Sequence, residues 1–192
     1  MPEILVDEGL LGFLENVFKV SNDEVSGSKA IGMLSSPTHQ FQVSTHYLKV
    51  YHIGELALIR QVIISYNADE ALAFLSSNRL RFPDIGTVAV VAIGLKPGLH
   101  HARMLKKIFP VTKWYLIFSA DIMGNCADII IAAGFHQLPV AIHLNDDSIV
   151  WIRFLANEYL FPADTLTLNT FEKAVKRRFG IRTDKLRNLL AK

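Results

Sequence analysis

A single cysteine, Cys126, is all that this chain of 192 residues contains, which excludes an intramolecular disulfide and a cysteine-based zinc cluster. Long apolar runs are missing too. The most extended, over 87–94 (TVAVVAIG) and 114–118, fall far short of the roughly 20 residues that a spanning helix needs. The first twenty residues, MPEILVDEGLLGFLENVFKV, carry acids where a secretory signal carries Lys or Arg, so the expectation is a chain without membrane contact that stays in the cytoplasm. G-x-S-x-G is absent, and IGLKPGLHH has two glycines but neither the spacing nor the lysine placement of a phosphate-binding loop. There is no internal repeat and no low-complexity stretch.

Hydrophobic residues make up 51% of the chain and charged residues only 20%, enough for a sizeable core. Net charge is +2, but residues 171–192 hold eight Lys/Arg against two acids, leaving −4 on residues 1–170. The basic character belongs to the tail.

Apolar spacing predicts an amphipathic helix over 3–20, an irregular Ser/Gly-rich stretch after it, and one alternating strand over 41–53 (FQVSTHYLKVYHI). Regular alternation follows: strands over 61–65, 87–94, 114–119 and 138–144, with helices between them over 68–77, 97–108 and 125–133, the last closed by Gly134. Near-continuous Val/Ile/Leu strands separated by short helices predict an α/β fold with a parallel four-stranded, Rossmann-like sheet covered on both faces. Residues 148–154 (SIVWIRF) suit an added edge strand and the residues after them a connector. The basic end reads as two short helices, one with Phe171, Ala174, Val175 and Phe179 on its apolar face, the other capped by Thr183. The organisation expected is an extension over 1–60, a core over 61–155 and a basic helical segment over 156–192, forming one unit.

Ligands of open parallel sheets gather beyond the carboxyl ends of the strands, where helix N-termini also point. That edge holds Tyr66, Asn67, Asp69 and Glu70, then Lys96, then Ser119, Asp121 and Asn125, then Asn145, Asp146 and Asp147. Several acids there suit Mg²⁺, which takes one or two carboxylates plus phosphate oxygens. The same acids suit helix caps. Of the histidines, His46 and His52 fall about 20 Å apart on one strand face, too far for a shared metal. His100 and His101, beside Arg103, Lys106 and Lys107, suit either a phosphate or a solvated helix face. His136 and His143 stand alone. In the tail, Lys173, Lys176, Arg177, Arg178, Arg182, Lys185 and Arg187 give a positive surface able to neutralise phosphates of DNA or RNA, or to balance the acidic body.

Over residues 60–147 the element order and two motifs resemble the Toprim domains of primases, topoisomerases and nucleases. VIISYNADEALAFL lies over the E-G-x-x-D-A-L pattern at the first strand, with Glu70 in the place of its Asp and Tyr66 where the catalytic Glu stands. Phe118-Ser-Ala-Asp-Ile-Met-Gly124 lies over F-D-x-D-x-x-G: Asp121 and Gly124 match, while Ser119 replaces the first Asp. Asn145-Asp146 is a loose counterpart of the family's Asn-Asp stretch. The resemblance implies Mg²⁺ chemistry on Glu70, Asp121 and Asp146, but a Tyr and a Ser cannot fill anionic ligand positions at neutral pH. The expectation is therefore a degenerate, non-catalytic Toprim-like protein with no cofactor or weakly held Mg²⁺. It would act in a nucleic-acid context, in keeping with the primase-type relatives found in mobile elements. Two alternatives stay open: an Mg²⁺-dependent nuclease or primase-type enzyme with a rearranged site, and an interaction module that forms a homo-oligomer or binds a protein partner.

Overall fold

The computed structural model describes residues 39–43, 46–53, 55–110, 112–145 and 148–185. The predicted helix over 3–20, Asp146, Asp147, residues 186–192 of the second C-terminal helix and Arg187 lie outside the described residues; Thr183, expected to cap that helix, lies instead in a two-residue strand, Arg182–Thr183.

The larger sheet holds β1 (His39–Val43), β2 (His46–Tyr51), β3 (Gln61–Ser65), β4 (Val88–Ala92), β5 (Lys113–Leu116) and β9 (Arg182–Thr183), in the spatial order β1-β2-β4-β3-β5-β9. A smaller sheet holds β6 (Val140–Leu144), β7 (Ile149–Phe154) and β8 (Asn157–Pro162) in chain order. The α-helices among the described residues are α1 (Ala68–Ser77), α2 (Leu99–Ile108), α3 (Ile122–Phe135) and α4 (Leu168–Ala174). The fold is mixed α/β, and its larger sheet is mostly parallel: β4, β3, β5 and β9 run together, β2 pairs antiparallel with β4, and β1 pairs antiparallel with β2.

Strands β3 and β4 are buried on both faces, which is why they read as unbroken apolar runs. Val62, Ile64, Ala89, Val91 and Leu116 meet Leu105 of α2 and Ile131 of α3 on one side. Ile63, Val88, Val90 and Tyr115 meet Leu72 and Leu75 of α1 on the other. Each such aliphatic side chain contributes about 1.5–3 kcal/mol on burial. Helix α3 has a second buried side, where Ile129, Ala132 and Ala133 pack on Val150, Ile152 and Phe154 of the small sheet and on Phe171 of α4. Burial on two sides accounts for its nearly continuous apolar sequence.

Several expectations change. The strand expected over 41–53 is instead two antiparallel strands, β1 and β2, with Val43 opposite His46. The strand expected at 138–144 as the fourth of the parallel sheet is instead β6, paired antiparallel with β7. It is half-exposed along its length, unlike a strand covered on both faces. The free edge of β5 pairs with the two-residue β9. The stretch after 154 expected as a connector contains β8, reached through Leu155 at φ 57°, a left-handed position where a sequence reader looks for glycine. Sheet pairing crosses residues 60 and 155, since β2 pairs with β4 and β8 with β7. Gly134 lies inside α3 and does not close it: a Cβ there would stand 2.6 Å from Ala102 Cβ, so its role is the close crossing of α2 and α3.

Candidate functional site

From β3 the chain passes through α1 to β4 on one side, whereas β5, on the other side of β3, is followed eventually by β9 further out. The carboxyl ends of β3 and β5 are therefore the switch point of the sheet, the place where open α/β folds bind ligands. Tyr66 and Asn67 leave β3 there, and Ile117 to Asp121 leave β5.

Two of the candidate acids, Glu70 and Asp121, already have local tasks. Asn67 caps α1 by accepting the Glu70 N–H at 2.9 Å, and the Glu70 carboxylate accepts the hydroxyl of buried Ser65. Asp121 caps α3: its Oδ1 accepts the Gly124 N–H at 2.8 Å and the Ser119 hydroxyl at 2.7 Å. These bonds, the Gly124 N–H first, hold its carboxyl below the usual carboxylate range. Asp146 lies outside the described residues. Among the described residues no three His, Cys, Asp or Glu side chains converge to hold a metal ion.

Tyr66 lays its ring on Phe118 with centroids 4.7 Å apart. Burial first, then the charges of Asp121 and Asp128, push its hydroxyl up to about 12 against the opposing effect of a Ser119 hydrogen bond. It is neutral at physiological pH and supplies no anionic ligand. Cys126 is pushed up to about 11, chiefly by burial, so its thiol stays protonated and unreactive.

One pair at this edge escaped the sequence reading. Asp128, on α3 seven residues past the Asp121 cap and hence close to the same helix face, is 1% exposed and bonded at 2.6 Å to Lys185 Nζ. The signal available was a lone acid inside the apolar run NCADIIIAAGF. Burial pushes its carboxyl from 3.8 up to about 6, although the charge and hydrogen bond of Lys185 pull it down.

A raised carboxyl means that the fold prefers the protonated form. Ionisation of Asp128 therefore weakens the fold fully above pH 6, and that cost disappears as pH falls from about 6 to 4, a change of roughly 3 kcal/mol for a two-unit shift. Urea unfolding of wild type and Asp128→Asn across pH 4–7 checks this. The stability of wild type minus variant is expected to rise toward pH 4; a flat difference would refute the shift.

The seven basic residues expected to share one surface divide. Lys173, Lys176, Arg177 and Arg178 are exposed and, with Asn169 and Glu172, line a surface cavity of about 260 Å³ just past α4. Glu172 is partly engaged there, its Oε1 accepting the Phe179 N–H at 2.7 Å. Arg182 lies over the Tyr115 ring at 5.6 Å, Lys185 turns inward to Asp128, and Arg187 is outside the described residues. Among the histidines, His101 is buried and its Nδ1 accepts the Gly98 N–H at 3.1 Å, so it belongs to the start of α2. His136 Nε2 meets the Phe179 carbonyl at 3.0 Å and His143 lies on Trp151.

No helix of the described residues is long and apolar enough to cross a membrane. Comparison with protein-family models, with curated proteins and with solved structures finds no match for the chain.

Proposed function

We propose that this chain is a non-catalytic α/β domain of Toprim type that binds the phosphate backbone of DNA or RNA through the cavity past α4. The observation that carries this reading is the convergence of Lys173, Lys176, Arg177 and Arg178 on one concave surface, none of them in an ion pair with a described residue. Unpaired cations around a concavity neutralise phosphates, whereas a merely solvated basic face has no need to converge. Absence of catalysis is supported by the switch point: Tyr66 is neutral, Ser119 is a hydroxyl, and Glu70 and Asp121 are engaged in local bonds. The Toprim assignment rests on Asp121 and Gly124 at the end of β5 and on Glu70 in α1. A mobile-element setting is part of the same proposal and is what that resemblance implies.

The test is fluorescence anisotropy with labelled duplex and single-stranded oligonucleotides over a salt series. Four phosphate contacts give log K against log salt a slope of roughly −3 to −4 on duplex and about −3 on single strands. Replacing Lys173, Arg177 and Arg178 with Ala is expected to bring the slope to about −1 and to weaken binding at least tenfold at low salt. Binding that is unchanged in the triple variant, or that ignores salt, would sink the proposal.

A further inference from the structure

Lys185 lies just past β9, a two-residue strand whose continuation is fixed by the Asp184 N–H on the Leu116 carbonyl at 3.0 Å and by the Arg81–Asp184 ion pair at 2.9 Å. From there its side chain reaches the carboxyl end of β5. The ammonium is 2.6 Å from Asp128 Oδ2 and 3.1 Å from the Ser119 carbonyl oxygen. Asp121, whose carboxylate is bonded to the Ser119 hydroxyl, adds a second negative charge at this end of α3.

The pairing is incomplete in an informative way. Asp128 Oδ1 is buried and makes no hydrogen bond to any described residue, and an unsatisfied buried carboxylate oxygen is costly. An ammonium is a compact charge with three donors; here it serves one carboxylate oxygen and one carbonyl. A buried carboxylate, a main-chain carbonyl and a neighbouring carboxylate are hard oxygen donors, the kind that Mg²⁺ or Mn²⁺ takes while keeping several of its waters. With Lys185 in place, a second cation would meet direct repulsion and a filled position.

We propose that Lys185 is a built-in counter-ion: its ammonium fills a cation position formed by Asp128, the Ser119 carbonyl and Asp121, and a chain lacking that ammonium takes up a hydrated divalent cation there. This accounts for a switch point that keeps acids without a converging metal-ligand set, and it is independent of nucleic-acid binding past α4.

The experiment is a Mn²⁺ titration of the full chain as wild type, Lys185→Ala and Lys185→Gln, read by electron paramagnetic resonance of free Mn²⁺ and by thermal melting. Both variants are expected to bind Mn²⁺ about tenfold tighter than wild type or better, because the site gains a net negative charge. Mn²⁺ should raise their melting temperatures and leave that of wild type in place. Adding Asp128→Asn should abolish both effects. Equal responses in wild type and variants overturn the proposal, as does the absence of any response in both variants. The Gln variant keeps a donor for the Ser119 carbonyl, so if both variants stay unfolded in millimolar Mn²⁺ the cation position is refuted as well. Oligonucleotide binding by the same proteins is scored separately and is expected to be unchanged.

Discussion

Phe171→Ala is expected to cost roughly 3–5 kcal/mol of folding free energy, the range for removing a fully buried aromatic ring, and to abolish oligonucleotide binding with it. Phe171 is completely buried on α4. Its ring is stacked on Phe179 at 6.1 Å with an interplanar angle of 3°, meets Phe154 edge-on at 5.4 Å, and touches the environment of Tyr159 and Phe161 at 6.4 and 6.3 Å. Lys173, Lys176, Arg177 and Arg178 all lie between Phe171 and Phe179, so this pair of rings sets the path of the backbone that carries the cations. Chemical denaturation and anisotropy on the same sample check both halves. Phe171→Leu, which preserves most of the volume, should retain folding and a salt-dependent slope while losing part of the stability. Loss of stability in the Ala variant with undiminished binding under folding conditions would show that the cavity is not positioned by this cluster.

What the sequence made legible was local. The helix α1 has the bounds expected from its composition, and β3, β4 and β5 fall where apolar runs lie between helices, because a doubly covered strand must be apolar at every position. Asp121 and Gly124 lie where β5 passes into α3. Other features were set by long-range contacts that leave no periodic trace. A strand of two residues, β9, has no alternation to detect, and its pairing with β5 joins segments 67 residues apart, Tyr115 with Arg182. The Asp128–Lys185 pair spans 57 residues, and in sequence Lys185 is one more cation of a basic tail. The hairpin through Leu155 lacks the glycine or asparagine that normally announces one. Gly134, a helix stop by sequence, is a helix-crossing residue because Ala102 faces it from a separate segment.

Gly124→Ala is expected to destabilise the protein by about 3 kcal/mol, the upper part of the ordinary range for overpacking, even though Ala is favoured over Gly in a helix by roughly 1 kcal/mol. The clash decides the sign. A Cβ on Gly124 would lie 2.0 Å from the Ser119 carbonyl oxygen, 2.8 Å from its carbon and 2.9 Å from its nitrogen, and these are backbone atoms with no rotamer to change. Relief requires the β5–α3 turn to move away from the first turn of α3. That movement breaks the Asp121 cap on the Gly124 N–H, a bond whose loss costs about 1 kcal/mol by itself, and withdraws the Ser119 carbonyl from Lys185. Asp121→Ala separates the two contributions: it removes the cap and the acceptor of the Ser119 hydroxyl without any clash, and should cost only about 1 kcal/mol. Thermal melts should therefore place Asp121→Ala a few degrees below wild type and Gly124→Ala clearly lower, by about 2–4 °C for each kcal/mol in a chain of this size. Because the displaced Ser119 carbonyl is a partner of Lys185, Gly124→Ala combined with Lys185→Ala should destabilise less than the sum of the single changes. Strict additivity would separate the glycine from the counter-ion site. A Gly124→Ala chain as stable as wild type would mean that β5 and α3 do not meet at this distance.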